Sequence, residues 1–195
     1  MHSPPPEAAS RTYEIRWHGR GGQGAVTAAK ILADAAFRSG FAGVASAPSF
    51  GSERRGAPIT ASTRLSSAPI REHSQVSKPD IVIVLDDTLL GVAGAARGLR
   101  PGGVLIVNTS RPAAALGVPE GVRVVTADVS AAAQAAGLVV SGVPMVNTAI
   151  LGTFAAATGL VRMDRLEEAI AASFPGPAAR KNFEAARIAH DATRS

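Results

Sequence analysis

The sequence predicts an α/β protein: a mostly parallel open sheet of Rossmann-like type, with helices on both faces and a helical C-terminal third. Three observations carry that expectation. Strand-type and helix-type patterns alternate along the chain. Two runs, Asp80 to Leu85 and Val104 to Asn108, are almost continuously apolar, as parallel strands covered on both faces are. And a glycine-rich loop, Gly19-Arg20-Gly21-Gly22-Gln23-Gly24, stands between a strand pattern and a helix pattern.

The elements follow in order. Residues 1–11 are Pro-rich and polar and read as a flexible tail, leaving 12–195 as a single domain. Tyr13 to His18 alternates, with Tyr13, Ile15 and Trp17 on one side, which is a strand signature. Gln23 to Arg38 reads as a helix whose apolar side carries Val26, Ala29, Ile31, Leu32 and Ala36. Gly43 to Ala47 is a second short strand, and Pro48, Gly51 and Gly56 make the segment after it irregular. From Pro58 the pattern alternates again, with Ile59, Ala61, Thr63 and Leu65 on one face: a strand exposed on the other. After the run to Leu85 comes a helical stretch from Thr88 to about Arg97, then a turn at Arg100-Pro101-Gly102-Gly103. Gly121 to Thr126 is a further strand, followed by helices over Asp128–Ala136, Asn147–Thr158, Asp164–Ser173 and about Ala178–Ala192. Asp128 or Ser130 and Asp164 are expected at helix N-caps.

Composition narrows the function classes. Hydrophobic residues are 46% but aromatics only 4%, so the core is built from Ala, Val, Leu and Ile. The net charge of +5 favours anionic ligands or acidic partners. It is spread along the chain, without a dense basic block or interleaved aromatics, which argues against nucleic acid. There is no cysteine, which excludes disulfides, a thiol nucleophile and cysteine-ligated clusters within this chain. No run approaches the ~18 apolar residues of a membrane span, and a cytoplasmic setting is expected.

The glycine loop points to an anionic ligand. In the G-x-G-x-x-G spacing the first glycine is expected to turn the chain out of the strand. The second lets an anion approach the backbone, and the third lets the helix lie close to the sheet. The helix N-terminus then offers unpaired N–H groups and the positive end of its dipole. Arg20 adds a cation and Gln23 a neutral donor. NAD fits poorly. A dinucleotide fold expects an acidic residue at the end of its second strand, ~20 residues on, to hold the ribose. Here that strand ends Ala45-Ser46-Ala47-Pro48, and beyond it come Arg54 and Arg55, which suit further phosphate better.

These residues, read with the segment Phe50-Gly51-Ser52-Glu53-Arg54-Arg55-Gly56-Ala57-Pro58, resemble the gamma subunit of the 2-oxoacid:ferredoxin oxidoreductases, of which pyruvate:ferredoxin oxidoreductase is the best-known kind. Lys78-Pro79-Asp80, Asn147-Thr148-Ala149-Ile150-Leu151-Gly152 and Lys181-Asn182 extend the resemblance over about residues 13–190. The resemblance implies a subunit of a complex that oxidatively decarboxylates a 2-oxoacid to an acyl-CoA and passes electrons to ferredoxin or another acceptor. It implies thiamine diphosphate and iron–sulfur clusters held by partner subunits, and coenzyme A in a shared cleft. Carried onto this sequence, it makes Gly19, Arg20, Gly21, Gly22, Gln23, Gly24, Ser52, Glu53, Arg54, Arg55 and Asn147 the candidate cofactor-binding residues. Among them Asn147 is expected to cap its helix beside the cleft.

Other groups suggest no complete catalytic apparatus. His18 adjoins the loop and reads as structural; His2, His73 and His190 read as surface residues without metal-ligand spacing. Asp86 and Asp87 follow an apolar strand at its carboxyl end, where helix capping is the ordinary role. No serine lies in a G-x-S-x-G setting. The isolated chain is therefore expected to be inactive. A free-standing NAD(P)-binding oxidoreductase and a purely structural subunit are the alternatives.

Overall fold

The structure, a computed structural model, describes residues 11–48, 55–71, 74–118 and 120–194. Its centre is a six-stranded sheet. Strand β1 (Tyr13–Arg20) leads through the glycine loop into helix α1 (Ala25–Arg38). Then come β2 (Gly43–Pro48), β3 (Pro58–Ser66), β4 (Ile81–Val84), α2 (Leu89–Val92) and β5 (Val104–Asn108). A 3-10 turn at Ala113–Leu116 precedes β6 (Arg123–Ala127) and α3 (Val129–Ala135). A small hairpin, β7 (Val139–Val140) and β8 (Val143–Pro144), leads to α4 (Val146–Thr158), α5 (Met163–Ser173) and α6 (Gly176–Asp191).

The sheet order is β2-β3-β1-β4-β5-β6. Strands β1, β4, β5 and β6 pair in parallel, and β3 is antiparallel to both its neighbours. The face of β3 expected to be exposed is largely covered: Thr60 and Ser62 are half-buried and Arg64 and Ser66 are buried, because the chain that follows the strand folds back over it. The two continuous apolar runs, β4 and β5, lie in the middle of the sheet. Because β1 connects toward one edge and β4 toward the other, the chain's direction of winding reverses between β1 and β4. Open α/β sheets have their ligand crevice at such a point, outside the carboxyl ends of the strands.

The two faces are covered unequally. On one, Ile15, Trp17, Leu65, Ile83 and Ile106 meet α1, α3, α4, α5 and α6 in a single buried cluster. Trp17 is fully buried, and its indole N–H donates to Thr63 Oγ1 at 3.0 Å, so its polar atom costs little. Helix α4 is buried from Val146 to Ala155, as its all-round apolar sequence requires. On the other face, Val82, Val84, Leu105 and Val107 are covered by Leu89, Ala95 and the 3-10 turn. The helix expected from Thr88 to Arg97 ends at Val92. Gly94 takes φ +55° and turns the chain, so the covering element is only one turn long.

Boundaries otherwise shift by a few residues. Strand β6 begins at Arg123 rather than Gly121, and α1 at Ala25 rather than Gln23. Asp128 caps α3 by accepting from Ala131 N–H at 2.9 Å, as its residue type favours. Asp164 is not a cap: Arg162 holds that position and Asp164 lies in the first turn, where its charge suits the helix dipole.

Candidate functional site

The loop after β1 is built by its glycines, but not in the roles their spacing suggests. Gly19 still pairs with Ile59 inside the strand. A Cβ there would stand 3.1 Å from Leu85 Cδ1 and 3.3 Å from Ala25 Cβ, so Gly19 serves close approach rather than the turn. The turn comes at Arg20–Gln23, closed by Gln23 N–H to Arg20 C=O at 2.9 Å, with Gly22 at φ +95° where a side chain would be strained. Gly24, at φ +78°, is the N-cap of α1 and offers no side chain to the helix. The first turn of α1 has no acidic residue either. Its leading N–H groups are therefore left for something else to satisfy.

The basic segment is tied to this loop by backbone. Gly21 N–H donates to Ala57 C=O at 2.9 Å, and Gly56 N–H donates to Gly21 C=O at 3.0 Å. These bonds set Arg55 beside Gly21, exposed, with its stem over Gly22. Ser52, Glu53 and Arg54 lie outside the described residues.

Arg20 is spent inside the site. Its guanidinium pairs with Asp86 Oδ2 at 2.7 Å and donates to Thr88 Oγ1 at 2.7 Å and to Gly56 C=O at 3.1 Å. It clamps three segments together, and its charge is already met by a carboxylate. Asp86 does not cap a helix side-on as expected: it takes Arg20 and also accepts from Thr88 N–H and O–H. Burial opposes its ionisation, but the bonds from Thr88 and Arg20 hold it below the usual carboxylate range. Gln23 folds back so that its Oε1 accepts from Arg20 N–H at 2.7 Å, which leaves its amide N–H groups as donors.

The third glycine packs against Asn147 rather than the sheet. A Cβ on Gly24 would stand 2.8 Å from Asn147 Nδ2 and 3.0 Å from its Cβ. Asn147 is not the cap of α4; Met145 holds that place, and Asn147 lies one residue inside the helix. The side chain is only 6% exposed, and its Oδ1 is buried without a hydrogen-bond partner among the described residues. Such orphans are rare in folded proteins and costly. The start of α4 is fixed by the next residue: Thr148 O–H donates to Asn182 Oδ1 at 2.5 Å, and Asn182 Nδ2 donates to Ala178 C=O at 2.9 Å on α6. Asn182 is thus a strut for Asn147, while Lys181 lies near Gly137.

Beside the loop is a cleft of about 380 Å³ lined by Gln23, Asp86, Asp87, Asn108, Arg111 and Asp128, among others. Its acids are engaged. Asp87 accepts from Thr109 O–H at 2.8 Å and Asp128 from Ala131 N–H, while the Asn108 amide oxygen takes Val129 N–H and Ser130 N–H at the start of α3. The site therefore has a cationic flank at Arg55 and an acidic flank beyond Arg20. The sequence did not single out Thr88 or Asn108; each could have been suspected from its place at the carboxyl end of an apolar strand.

Topology adds a second reason against NAD. In a dinucleotide fold the acidic second strand lies beside the first. Here β3 is inserted between β1 and β2. The end of β2 is moved a further ~5 Å from the loop, one strand spacing. His18 is buried in β1, and His2 and His73 lie outside the described residues. No group of His, Cys, Asp and Glu suited to a metal occurs among the described residues, and no helix there is long and apolar enough to cross a membrane.

An open, mostly parallel sheet with an uncapped helix at a glycine loop, and a basic segment bound to that loop, defines a Rossmann-like α/β chain. The chain belongs to the pyruvate ferredoxin/flavodoxin oxidoreductase family, which it matches over residues 14–192, and is of the gamma-subunit type. It is 46% identical over 185 residues to the common gamma subunit of the pyruvate/ketoisovalerate oxidoreductases of Pyrococcus furiosus, covering 92% of this chain and 96% of that one. It is 49% identical over 178 residues to the pyruvate synthase subunit PorC of Methanothermobacter marburgensis, covering 91% and 96%. The crystal structure of the pyruvate oxidoreductase subunit PORC from Thermotoga maritima superposes with a TM-score of 0.80 at 31% identity, covering 95% of this chain and 98% of that one.

Proposed function

We propose that this chain completes the active-site cleft of a thiamine-diphosphate-dependent 2-oxoacid:acceptor oxidoreductase and holds coenzyme A there. The observation that carries the reading is the backbone union of Gly21 with Gly56 and Ala57. It brings a cation, Arg55, to the open N-terminus of α1. A helix N-terminus and an arginine on one small loop form a receptor for phosphate. The orphaned Asn147 Oδ1 beside Gly24 adds an acceptor for an N–H or O–H group of the ligand. Coenzyme A has both kinds of group, so the residues fit it.

In this reading the chain's own residues bind and orient. Arg20, Asp86 and Thr88 hold the loop rigid. The loop backbone and Arg55 fix the phosphates, and orientation turns a bimolecular encounter into a pre-positioned one. Thiamine diphosphate, held by partner subunits, supplies the carbanion chemistry of decarboxylation. The sequence has no cysteine, so iron–sulfur clusters belong to partner chains and pass the electrons to ferredoxin or another acceptor. The setting is cytoplasmic and the isolated chain is inactive.

The test is coenzyme A binding to the assembled complex with Arg54 and Arg55 replaced by Ala. Losing charge-assisted bonds to phosphate should weaken binding about tenfold or more. Unchanged affinity would overturn the phosphate role. Co-purification with chains that carry thiamine diphosphate and iron–sulfur clusters tests the assembly separately.

A further inference from the structure

A larger cavity, about 490 Å³, lies on the other face of β1 and β3, away from α1. The chain that follows α2, at Ala93, Gly94, Arg97 and Gly98, forms one of its walls. Its lining includes Arg16, His18, Thr60, Ser62, Gln75 and Arg97, and no Asp or Glu among the described residues.

Arg16 is unusual in this molecule. Arg20, Arg64 and Arg100 each pair with a carboxylate. Arg16 is half-buried and has no ion pair among the described residues; its partners are backbone carbonyls and one ring nitrogen. Nη2 donates to Ala95 C=O at 3.1 Å and to Arg97 C=O. Among the described residues Nη1 reaches two carbonyls, Val76 and Ser77, both at 3.5 Å, which is the weak end of hydrogen bonding. Burial lowers its pKa.

His18 is set by Arg16. Arginine can only donate, so the Arg16 Nε contact to His18 Nε2 at 3.0 Å makes that nitrogen the acceptor. The proton of the neutral ring must then sit on Nδ1, which becomes a donor. Burial and the neighbouring Arg16 charge push His18 down to about 4, so the ring stays neutral near pH 7. At the mouth, the exposed Arg97 guanidinium makes no hydrogen bond or ion pair with the described residues, although its backbone carbonyl serves Arg16.

A half-buried cation and a second cation at the entrance, an oriented imidazole N–H, and no acid among the described lining residues together form a receptor for negative charge. We propose that this cavity is a second binding site, for a small molecule bearing an oxyanion group, a carboxylate or a phosphate, held between Arg16, His18 and Arg97. The inference stands apart from the glycine-loop reading, because it uses none of that loop's residues.

The experiment titrates the 195-residue chain with inorganic phosphate and, separately, with succinate. The readout is the His18 ring, followed by nitrogen–proton correlation spectroscopy. Saturable movement of the His18 signals is expected, and the tighter of the two probes identifies the oxyanion. Arg97→Glu, an exposed change, should weaken binding about tenfold or more with the fold intact. Arg55→Ala should leave it unchanged, since that residue belongs to the other site. A His18 ring that does not move with either probe would overturn the proposal. So would equal affinity in Arg97→Glu, or an assembled complex in which the cavity no longer takes either probe, since a partner chain would then fill it.

Discussion

At the scale of single residues, the cost of the site is visible in two side chains. His18 is 6% exposed, and burial with the Arg16 charge lowers its pKa from 6.5 to about 4. The sign follows from linkage. The unfolded chain takes up a proton below about 6.5 and the folded chain does not until about 4. Stability from this group is therefore complete above about pH 6.5 and falls as pH drops toward about 4, by about 3 kcal/mol in all. His18→Gln keeps an acceptor for Arg16 but cannot titrate; denaturant unfolding at several pH values should show the slope in the parent and a flatter profile in the variant. The second is the Gly24–Asn147 contact. Gly24→Ala combines a left-handed backbone with a Cβ 2.8 Å from Asn147 Nδ2, and should cost about 2–3 kcal/mol. Asn147→Gly in the same chain removes Nδ2, Cγ and the Cβ at 3.0 Å together, so the overlap disappears and only the Gly24→Ala backbone strain of about 1–2 kcal/mol remains to be added to that of the glycine substitution itself. A double-mutant cycle by chemical denaturation checks this, and strict additivity would refute the contact. The glycines of the loop were legible in the sequence because their spacing is local. Asn147 was legible as a candidate, but not its manner of contact, because that depends on where α4 docks. The Arg20–Asp86 pair was not legible: its partners are 66 positions apart, and nothing in either local pattern joins them.

At the scale of elements, the close approach of α4 and α6 carries the argument. Gly152 faces Ala186, and a Cβ there would stand 1.7 Å from the Ala186 carbonyl oxygen. The two helix backbones are in contact, which is why α4 can be buried along its length with so few aromatics. Gly152→Ala must push the helices apart and should cost about 3 kcal/mol or more, read as a fall in melting temperature. Gly142→Ala offers the comparison: it has a positive φ but open space, so only backbone strain of about 1–2 kcal/mol is expected. Equal losses for the two variants would show that α4 and α6 are not in backbone contact. Helices with clear periodicity, such as α1 and α6, were readable from the sequence, because that signal is internal. Helix α2 was not. The apolar residues from Leu89 to Leu99 have helical content, but Gly94 breaks the backbone and the residues cover the sheet as turns.

At the scale of the whole molecule, the question is whether the helical C-terminal third stands alone or belongs to the sheet. Alternation of strands and helices made the mostly parallel sheet legible, but not the insertion of β3 between β1 and β2, since pairing order is not written in any local pattern. Nor did it show that a single apolar cluster runs from Ile15 and Trp17 on the sheet, through α1, to Phe154 on α4, Ile170 on α5 and Ala189 on α6. Arg194 also pairs its backbone with Thr126 of β6, so the segment after α6 is tied to the last strand of the sheet. If that cluster is one core, removing α4 to α6 exposes the covered face of α1 and of the sheet together. The chain from residue 11 to 194 should then unfold in one cooperative transition, with calorimetric and van't Hoff enthalpies equal. A chain ending at Pro144 should fail to fold, giving no cooperative melt and binding a hydrophobic dye. The Gly152→Ala variant sharpens the test: its loss should lower the single transition as a whole, as tryptophan fluorescence from Trp17 on β1 would report. A Trp17 signal that melts at the parent temperature while helix content falls earlier would instead divide the molecule into two units.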